Sequence, residues 1–296
     1  MAQTGSMRAL DLRLPSPVEE LHDDELARLG VSLYLKRDDL IHPEIPGNKW
    51  RKLKHNLTAA RELGHDTLLT FGGAYSNHIR ATAAAGYHFG FSTIGVIRGE
   101  EHMPLNPSLA YAVDRGMRLT YLDRAAYRRK DTTEVVGALR ERFGEFYMLP
   151  EGGSNALAAR GCAEVPREID RAFEVICCPC GTGGTLAGIA AGLGAGQRAI
   201  GFSALKGGQF LAAEVNELQR EAFGADSGNW TIEYGFHCGG FAKRSPELLA
   251  FIDAFKQRHR LLLDWVYVAK MMLGIFTLAR NGALAGGTRV VAVVTG

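Results

Sequence analysis

The sequence predicts an α/β protein built from open, twisted parallel sheets with helices on their faces. Short apolar runs alternate with helically spaced segments along most of the chain. Glycine-rich turns follow several of the apolar runs. The alternation comes in two sets, the first ending at Pro150-Glu151-Gly152-Gly153. Alternation of this kind is the pattern of parallel sheets, whose ligands bind at the carboxyl ends of the strands.

In the first set, Val31–Lys36 reads as a short strand and Lys52–Leu63 as a helix ending at Gly64. Thr67–Phe71 is a buried strand that runs into Gly72-Gly73, and His78–Phe89 is an alanine-rich helix closed by Gly90. Strand Ser92–Ile97, helix Leu109–Arg115, strand Met117–Tyr121, helix Thr132–Phe143 and strand Phe146–Leu149 complete it. In the second set, strand Val175–Cys178 enters a glycine-rich turn before helix Leu186–Leu193 and strand Ala199–Leu205. Leu248–Arg258 and Met271–Arg280 are helices, and Arg289–Thr295 is a final apolar strand. No repeat, low-complexity tract or linker separates the sets, so two domains would be crossed by the chain more than once.

The totals bound the function. The chain has 296 residues, 46% hydrophobic and 22% charged, enough for one large domain or two smaller ones sharing a cleft. A net charge of +2 makes no electrostatic case for nucleic acid or membrane. Basic residues gather in Arg124–Lys130, but with acidic neighbours, and a solvated face explains that run better than a binding patch. Met1–Pro15 lacks a long apolar core and reads as a loose lead-in without a targeting signal, and no stretch has the apolar length of a membrane span. The five cysteines, an odd number, argue against a disulfide framework and for a reducing cytoplasm. Cys177, Cys178 and Cys180 lack a second pair at metal-site spacing and read as buried thiols, so no metal is expected. His237, beside Cys238, reads as a satisfied loop histidine.

Three motifs carry chemistry. Gly47-Asn48-Lys49-Trp50-Arg51-Lys52 opens a helix with three basic residues, against the macrodipole. It is either a basic first turn facing solvent or a place where an anion docks, with a lysine able to form a Schiff base. Gly72-Gly73-Ala74-Tyr75-Ser76-Asn77-His78 joins a buried strand to a helix. Ser76 or Asn77 either caps that helix or presents a hydroxyl and amide hydrogens to a carboxylate. The Gly-x-Ser-x-Gly elbow of a serine hydrolase is absent. Gly181-Thr182-Gly183-Gly184-Thr185 lies between strand and helix as a tight turn or a phosphate cradle. No Gly-Lys-Ser/Thr follows, and Leu186 stands where a dinucleotide fingerprint needs glycine, so one phosphate is expected rather than a dinucleotide.

In this order, together with Leu263-Asp264-Trp265-Val266-Tyr267-Val268-Ala269-Lys270 and the terminal Thr295-Gly296, the motifs resemble the 1-aminocyclopropane-1-carboxylate deaminase and D-cysteine desulfhydrase family. The resemblance runs from about Leu35 to the C-terminus. It implies the tryptophan-synthase-β-like architecture, fold type II of the pyridoxal-phosphate (PLP) enzymes. A large domain of residues 1–51 and 159–296 would then hold a small inserted domain of residues 52–158, with PLP between them. By the same resemblance Lys49 would carry the PLP aldehyde. Lys52 with Gly181, Thr182, Gly183, Gly184 and Thr185 would bind its phosphate. Asn77 would contact the ring hydroxyl, and Thr295 would face the pyridine nitrogen. Ser76 would meet the substrate carboxylate or assist proton transfer, with Asn77 and His78 on the substrate side, and Tyr267 would sit beside the ring.

The resemblance further implies a homodimeric lyase that deaminates a small amino acid, in the cytoplasm that the cysteines point to. Thr295 matches the desulfhydrases, which favours β-elimination from D-cysteine to pyruvate, ammonia and sulfide. The alternatives are 1-aminocyclopropane-1-carboxylate deamination, a biosynthetic lyase or β-replacement enzyme, and a PLP-binding protein without catalysis. Two departures bear on the choice. Val268 stands where the family has threonine or glutamate, and the sequence ends at Gly296 where the family continues with another glycine. Either change is expected to alter the substrate, weaken activity or leave the site open.

Overall fold

A computed structural model describes residues 10–295, so most of the predicted N-terminal lead-in lies outside the described residues. The chain begins a first sheet with β1 (Val18–Leu21), crosses α1 (Asp24–Arg28) and continues into β2 (Ser32–Lys36). It then leaves through α2 (Asn48–Glu62) to build a second sheet. That sheet comprises β3 (Thr67–Gly72), β4 (Ser92–Arg98), β5 (Met117–Leu122) and β6 (Tyr147–Leu149). Its helices are α3 (Asn77–Phe89), α4 (Pro107–Asp114), α5 (Arg124–Arg128) and α6 (Thr133–Phe143). After α7 (Ala156–Cys162) the chain returns to the first sheet with β7 (Val175–Cys180), α8 (Gly184–Ala191), β8 (Arg198–Ser203), α9 (Leu211–Phe223) and β9 (Trp230–Glu233). It ends with α10 (Pro246–His259), α11 (Val268–Arg280) and β10 (Arg289–Val293).

The second sheet has the order β5-β4-β3-β6 and is parallel throughout. The first has the order β1-β2-β10-β7-β8-β9. Its β1 pairs antiparallel with β2, which the expectation of parallel sheets missed. Strand β1 is only four residues long with two exposed glutamates, so no apolar period marks it. In β10 the period of two is plain: Val290 and Ala292 face a core shared with α10 and α11, while Val291 and Val293 face one shared with α8 and α9. Both faces are therefore covered, as a parallel sheet requires.

Helices α1, α5, α7 and α9 and strand β9 were not expected. Three of the helices are too short to show a period. Helix α9 does show one, since Leu211, Val215, Leu218 and Ala222 are its buried stripe. Cys177, Cys178 and Cys180 are core residues as expected, Cys162 is buried with them, and all four are unpaired.

Candidate active site

The start of α2 is pinned to the end of β10. Gly47 has φ 59°, and a Cβ added to it would lie 1.6 Å from the Thr295 carbonyl oxygen, so only glycine fits. Asn48 Nδ2 donates to Thr185 Oγ1 at 2.9 Å, tying this turn to the loop after β7. Lys49 is thereby held between the two sheets. Burial, and the nearby Lys52 ammonium, push its amine down to about 7, so at neutral pH much of it is unprotonated.

Lys52 is 3% exposed. Its Nζ donates to Ser154 Oγ at 2.9 Å and to the Gly152 carbonyl at 3.1 Å. Among the described residues it has no carboxylate at ion-pair distance, and burial pushes its pKa down. Arg51 behaves differently. It faces away into a buried network with Asp38 and Glu168, so an anion at the helix start is not needed to explain it. The reading of this turn as a solvated basic face does not survive either, because Arg51 and Lys52 are both buried.

Opposite Lys52 lies Gly181–Thr185. Gly183 precedes α8 at φ 75°, and no side chain caps the first turn of that helix. A Cβ on Gly184 would meet Ser154 Oγ at 2.6 Å, and Thr182 Oγ1 lies 2.6 Å from the same oxygen. Uncapped amides, hydroxyls and a buried ammonium without a counter-ion converge, which is the donor set of a phosphate site.

Ser76 caps α3, its Oγ accepting from the His78 and Ile79 amides at 3.2 and 3.3 Å. Both proposed roles remain compatible, because the hydroxyl hydrogen is still free to donate. The Asn77 side chain is exposed. His78 is 1% exposed, and neither ring nitrogen has a partner among the described residues. Burial, with Lys49 and Lys52 nearby, pushes its pKa well down and keeps the ring neutral. It packs on Gly153, where a Cβ would come within 2.6 Å of its Cε1.

Tyr267 stands across the cleft. Its ring covers Gly181, where a Cβ would lie 3.2 Å from Cε1. Asp264 accepts from its amide at 2.8 Å. Burial, then the Asp264 and Glu151 carboxylates, raise the phenol pKa. Phe241 meets the Tyr267 ring edge-on, with centroids 5.9 Å apart. Its loop is tied down by Lys270, whose Nζ donates to the Gly240 carbonyl at 2.8 Å. Val268 and Thr295 are both buried. His237 Nδ1 accepts from the Gly239 amide, as a satisfied loop histidine should.

Thus Lys49, Lys52, His78, Thr182, Thr185, Tyr267 and Thr295 are linked from both sheets into one region. Ser154, Gly152 and Phe241 belong there too and were not anticipated. The glycine pair before Ser154 is the sequence signal for the first two, since it marks a turn at the end of a strand. Among the described residues no group of three or more His, Cys, Asp or Glu is placed to hold a metal.

The family model described as "Pyridoxal-phosphate dependent enzyme" matches residues 10–296. The chain belongs to this family. A Pyrococcus furiosus protein, provisionally named a 1-aminocyclopropane-1-carboxylate deaminase, is 32% identical over 90% of this chain and 85% of its own length. An Arabidopsis thaliana protein named as a bifunctional, mitochondrial D-cysteine desulfhydrase/1-aminocyclopropane-1-carboxylate deaminase is 29% identical over 96% of this chain and 76% of its own. A solved structure of a 1-aminocyclopropane-1-carboxylate deaminase homologue superposes with TM-score 0.81 at 28% identity, covering 95% of this chain and 89% of that one. The architecture is therefore fold type II, and PLP is the cofactor of the family.

The site fits that cofactor on its own chemistry. Among the described residues the Lys52 ammonium has no anion and the first turn of α8 has no side-chain cap, and the Lys49 amine is available at neutral pH. This makes a signed prediction. Lys52→Met removes a charge-assisted contact to phosphate worth about 2–3 kcal/mol, so PLP should bind roughly 30–150-fold more weakly. The cofactor-free protein should lose much less stability, because a desolvated ammonium goes with the contact. Titration of PLP into the cofactor-free variant, beside its thermal melt, checks both. Unchanged affinity in a folded variant would remove Lys52 from the phosphate site.

Proposed function

We propose that the chain is a lyase that removes the amino group of a small amino acid, with β-elimination from a D-cysteine-like substrate as its reaction. The observation that carries this reading is the Lys49 amine, unprotonated in good part at neutral pH and set beside an anion cradle. Bound PLP supplies an electron sink for the α-carbon. Lys49 Nζ then serves both as the point of covalent attachment and as the base that takes the α-proton. Ser76 Oγ donates its free hydrogen to the substrate carboxylate. The phenol of Tyr267 stays protonated at neutral pH and donates to the departing sulfur. D-Cysteine and water would leave as pyruvate, ammonia and hydrogen sulfide.

The choice of substrate rests on Val268 and Thr295. Neither can carry charge, so neither offers a carboxylate to the ring, and the neutral hydroxyl of Thr295 suits α-proton removal followed by loss of a good leaving group. Deamination of 1-aminocyclopropane-1-carboxylate is the second reading, supported by the names of the relatives. In a side-by-side assay of PLP-loaded enzyme, D-cysteine should yield sulfide and pyruvate. Release of 2-oxobutanoate from the cyclopropane without sulfide from D-cysteine would reverse the ranking. Inertness toward both would favour another substrate or a binder without catalysis.

The same reading divides the chain into residues 1–51 with 159–296 and an inserted unit of 52–158, and takes it as a cytoplasmic homodimer. The unpaired cysteines support a reducing compartment. No described helix is long and apolar enough to cross a membrane. Only monomer in sedimentation at working concentration would remove the dimer.

A further inference from the structure

A second cavity, of about 950 Å³, opens over the carboxyl ends of β3, β4 and β5. This is where open parallel sheets bind ligands. It is not the cleft described above. Lys49, Lys52, Ser76, Thr182, Tyr267 and Thr295 do not line it, and the two share only the loop that leads into Ser76, through Gly73, Ala74 and Tyr75.

Its wall carries three guanidiniums. Arg98 ends β4, while Arg124 and Arg128 belong to α5. Among the described residues none of the three has a carboxylate at ion-pair distance. Arg98 has only the face of Tyr127, 5.8 Å away, and Arg128 Nε donates to the Arg124 carbonyl. Two carboxylates also line the cavity, Glu100 and Asp123, but Asp123 is committed to capping α5 through the Ala125 and Ala126 amides at 2.7 and 2.9 Å. Tyr121 also lines the cavity, and its hydroxyl is buried without a partner among the described residues. Ile97 and Leu109, both buried, supply an apolar floor.

We propose that this cavity is a second ligand site, for a small organic anion that carries one or two carboxylates on a short apolar body. Guanidiniums match a carboxylate through paired N–H donors, and the Tyr121 hydroxyl gains the partner it lacks. The apolar body covers Ile97 and Leu109. The basic run that reads from sequence as a solvated face is, in part, the wall of this site. Occupancy reaches the catalytic cleft through one contact: Arg98 Nη2 would lie 3.6 Å from a Cβ at Gly73, so the guanidinium rests on the loop that positions Ser76. The ligand therefore acts as an effector. That last step rests on the function proposed above; the binding does not.

The test uses the PLP-loaded enzyme at constant ionic strength, with succinate and inorganic phosphate as probes in calorimetric titrations. Succinate should bind saturably, once per chain, and more tightly than phosphate, which cannot use the apolar floor. The double variant Arg98→Met/Arg128→Met should weaken succinate at least tenfold while keeping its fold and PLP content. Tyr121→Phe should weaken it by a smaller factor. Succinate should change turnover of the wild type and not of the double variant. No saturable binding by the wild type, equal affinity in the double variant, or phosphate binding as tightly as succinate would overturn the site as described. Strictly competitive displacement of succinate by amino-acid substrate would place it in the catalytic cleft and overturn the second site. If no amino acid is turned over, the titrations still decide the binding.

Discussion

Lys49→Ala should reduce turnover by at least ~10³-fold, because one side chain supplies both the attachment point and the base. Its position makes substitution by a neighbour implausible. Lys52 is held by Ser154 and Gly152 on the phosphate side, and Lys270 is tied to Gly240 beyond Tyr267. Borohydride reduction of the PLP-loaded enzyme followed by peptide analysis should find the pyridoxyl group on Lys49. Label on Lys52 or Lys270 instead would sink the assignment. A pH signature accompanies it. The Lys49 amine falls from an ordinary 10.5 to about 7 in the folded, cofactor-free protein. Between those values the unfolded chain binds the extra proton, so this group lowers stability as pH drops from 10.5 toward 7. Lys49→Ala should lack that slope, so the difference between the two proteins' stability curves should carry it.

What was legible in the sequence, and what was not, follows from how each signal is written. The glycine-rich turns could be read because close backbone approach demands glycine. Gly47 against Thr295 and Gly184 against Ser154 are the structural form of that demand. Lys49 and Lys52 could be read as a pair because two cations at a helix start are costly unless something anionic arrives. Arg51 could not be separated from them, since its partners Asp38 and Glu168 lie 13 and 117 residues away. The parallel strands announced themselves as apolar runs, whereas β1 and β9 are short, partly exposed edge strands with little pattern to see. Helix α9, by contrast, is written in the sequence as a regular apolar stripe of Leu211, Val215, Leu218 and Ala222. Arg98, Arg124 and Arg128, without an ion-pair partner among the described residues, are invisible in sequence, because the acidic neighbours Asp131 and Glu134 pair with Lys130 and Arg129 instead.

The buried network beneath α2 should be the most sensitive structural element outside the cleft. Asp38 accepts from Arg51 Nε at 2.6 Å, from Arg51 Nη2 at 2.7 Å and from Ser16 Oγ at 2.6 Å. Glu168 accepts from both arms of Arg51 at 2.8 Å and from Lys36 Nζ at 2.8 Å. Two buried cations are thus balanced by two carboxylates, and the Asp38 carbonyl also receives the Gly47 amide at 2.9 Å. Asp38→Ala leaves one cation in excess where water cannot replace the lost partner. Breaking such a pair costs about 3–5 kcal/mol, which should show as a large fall in denaturation midpoint. Because Gly47 hangs on the same turn, PLP affinity should fall with it. The network also sets an acid limit. Burial tends to raise the Glu168 carboxyl, but Arg51 and Lys36 together bring it to about 2, below the ordinary 4.5. Its contribution is complete above about 4.5 and is lost as pH falls toward 2, since the unfolded chain takes up the proton first. Glu168→Gln should therefore be destabilised near neutral pH and lose less further stability than the wild type between those limits. Parallel acid-unfolding curves, offset by a constant amount, would show that Glu168 does not titrate with folding and that the network is not its anchor.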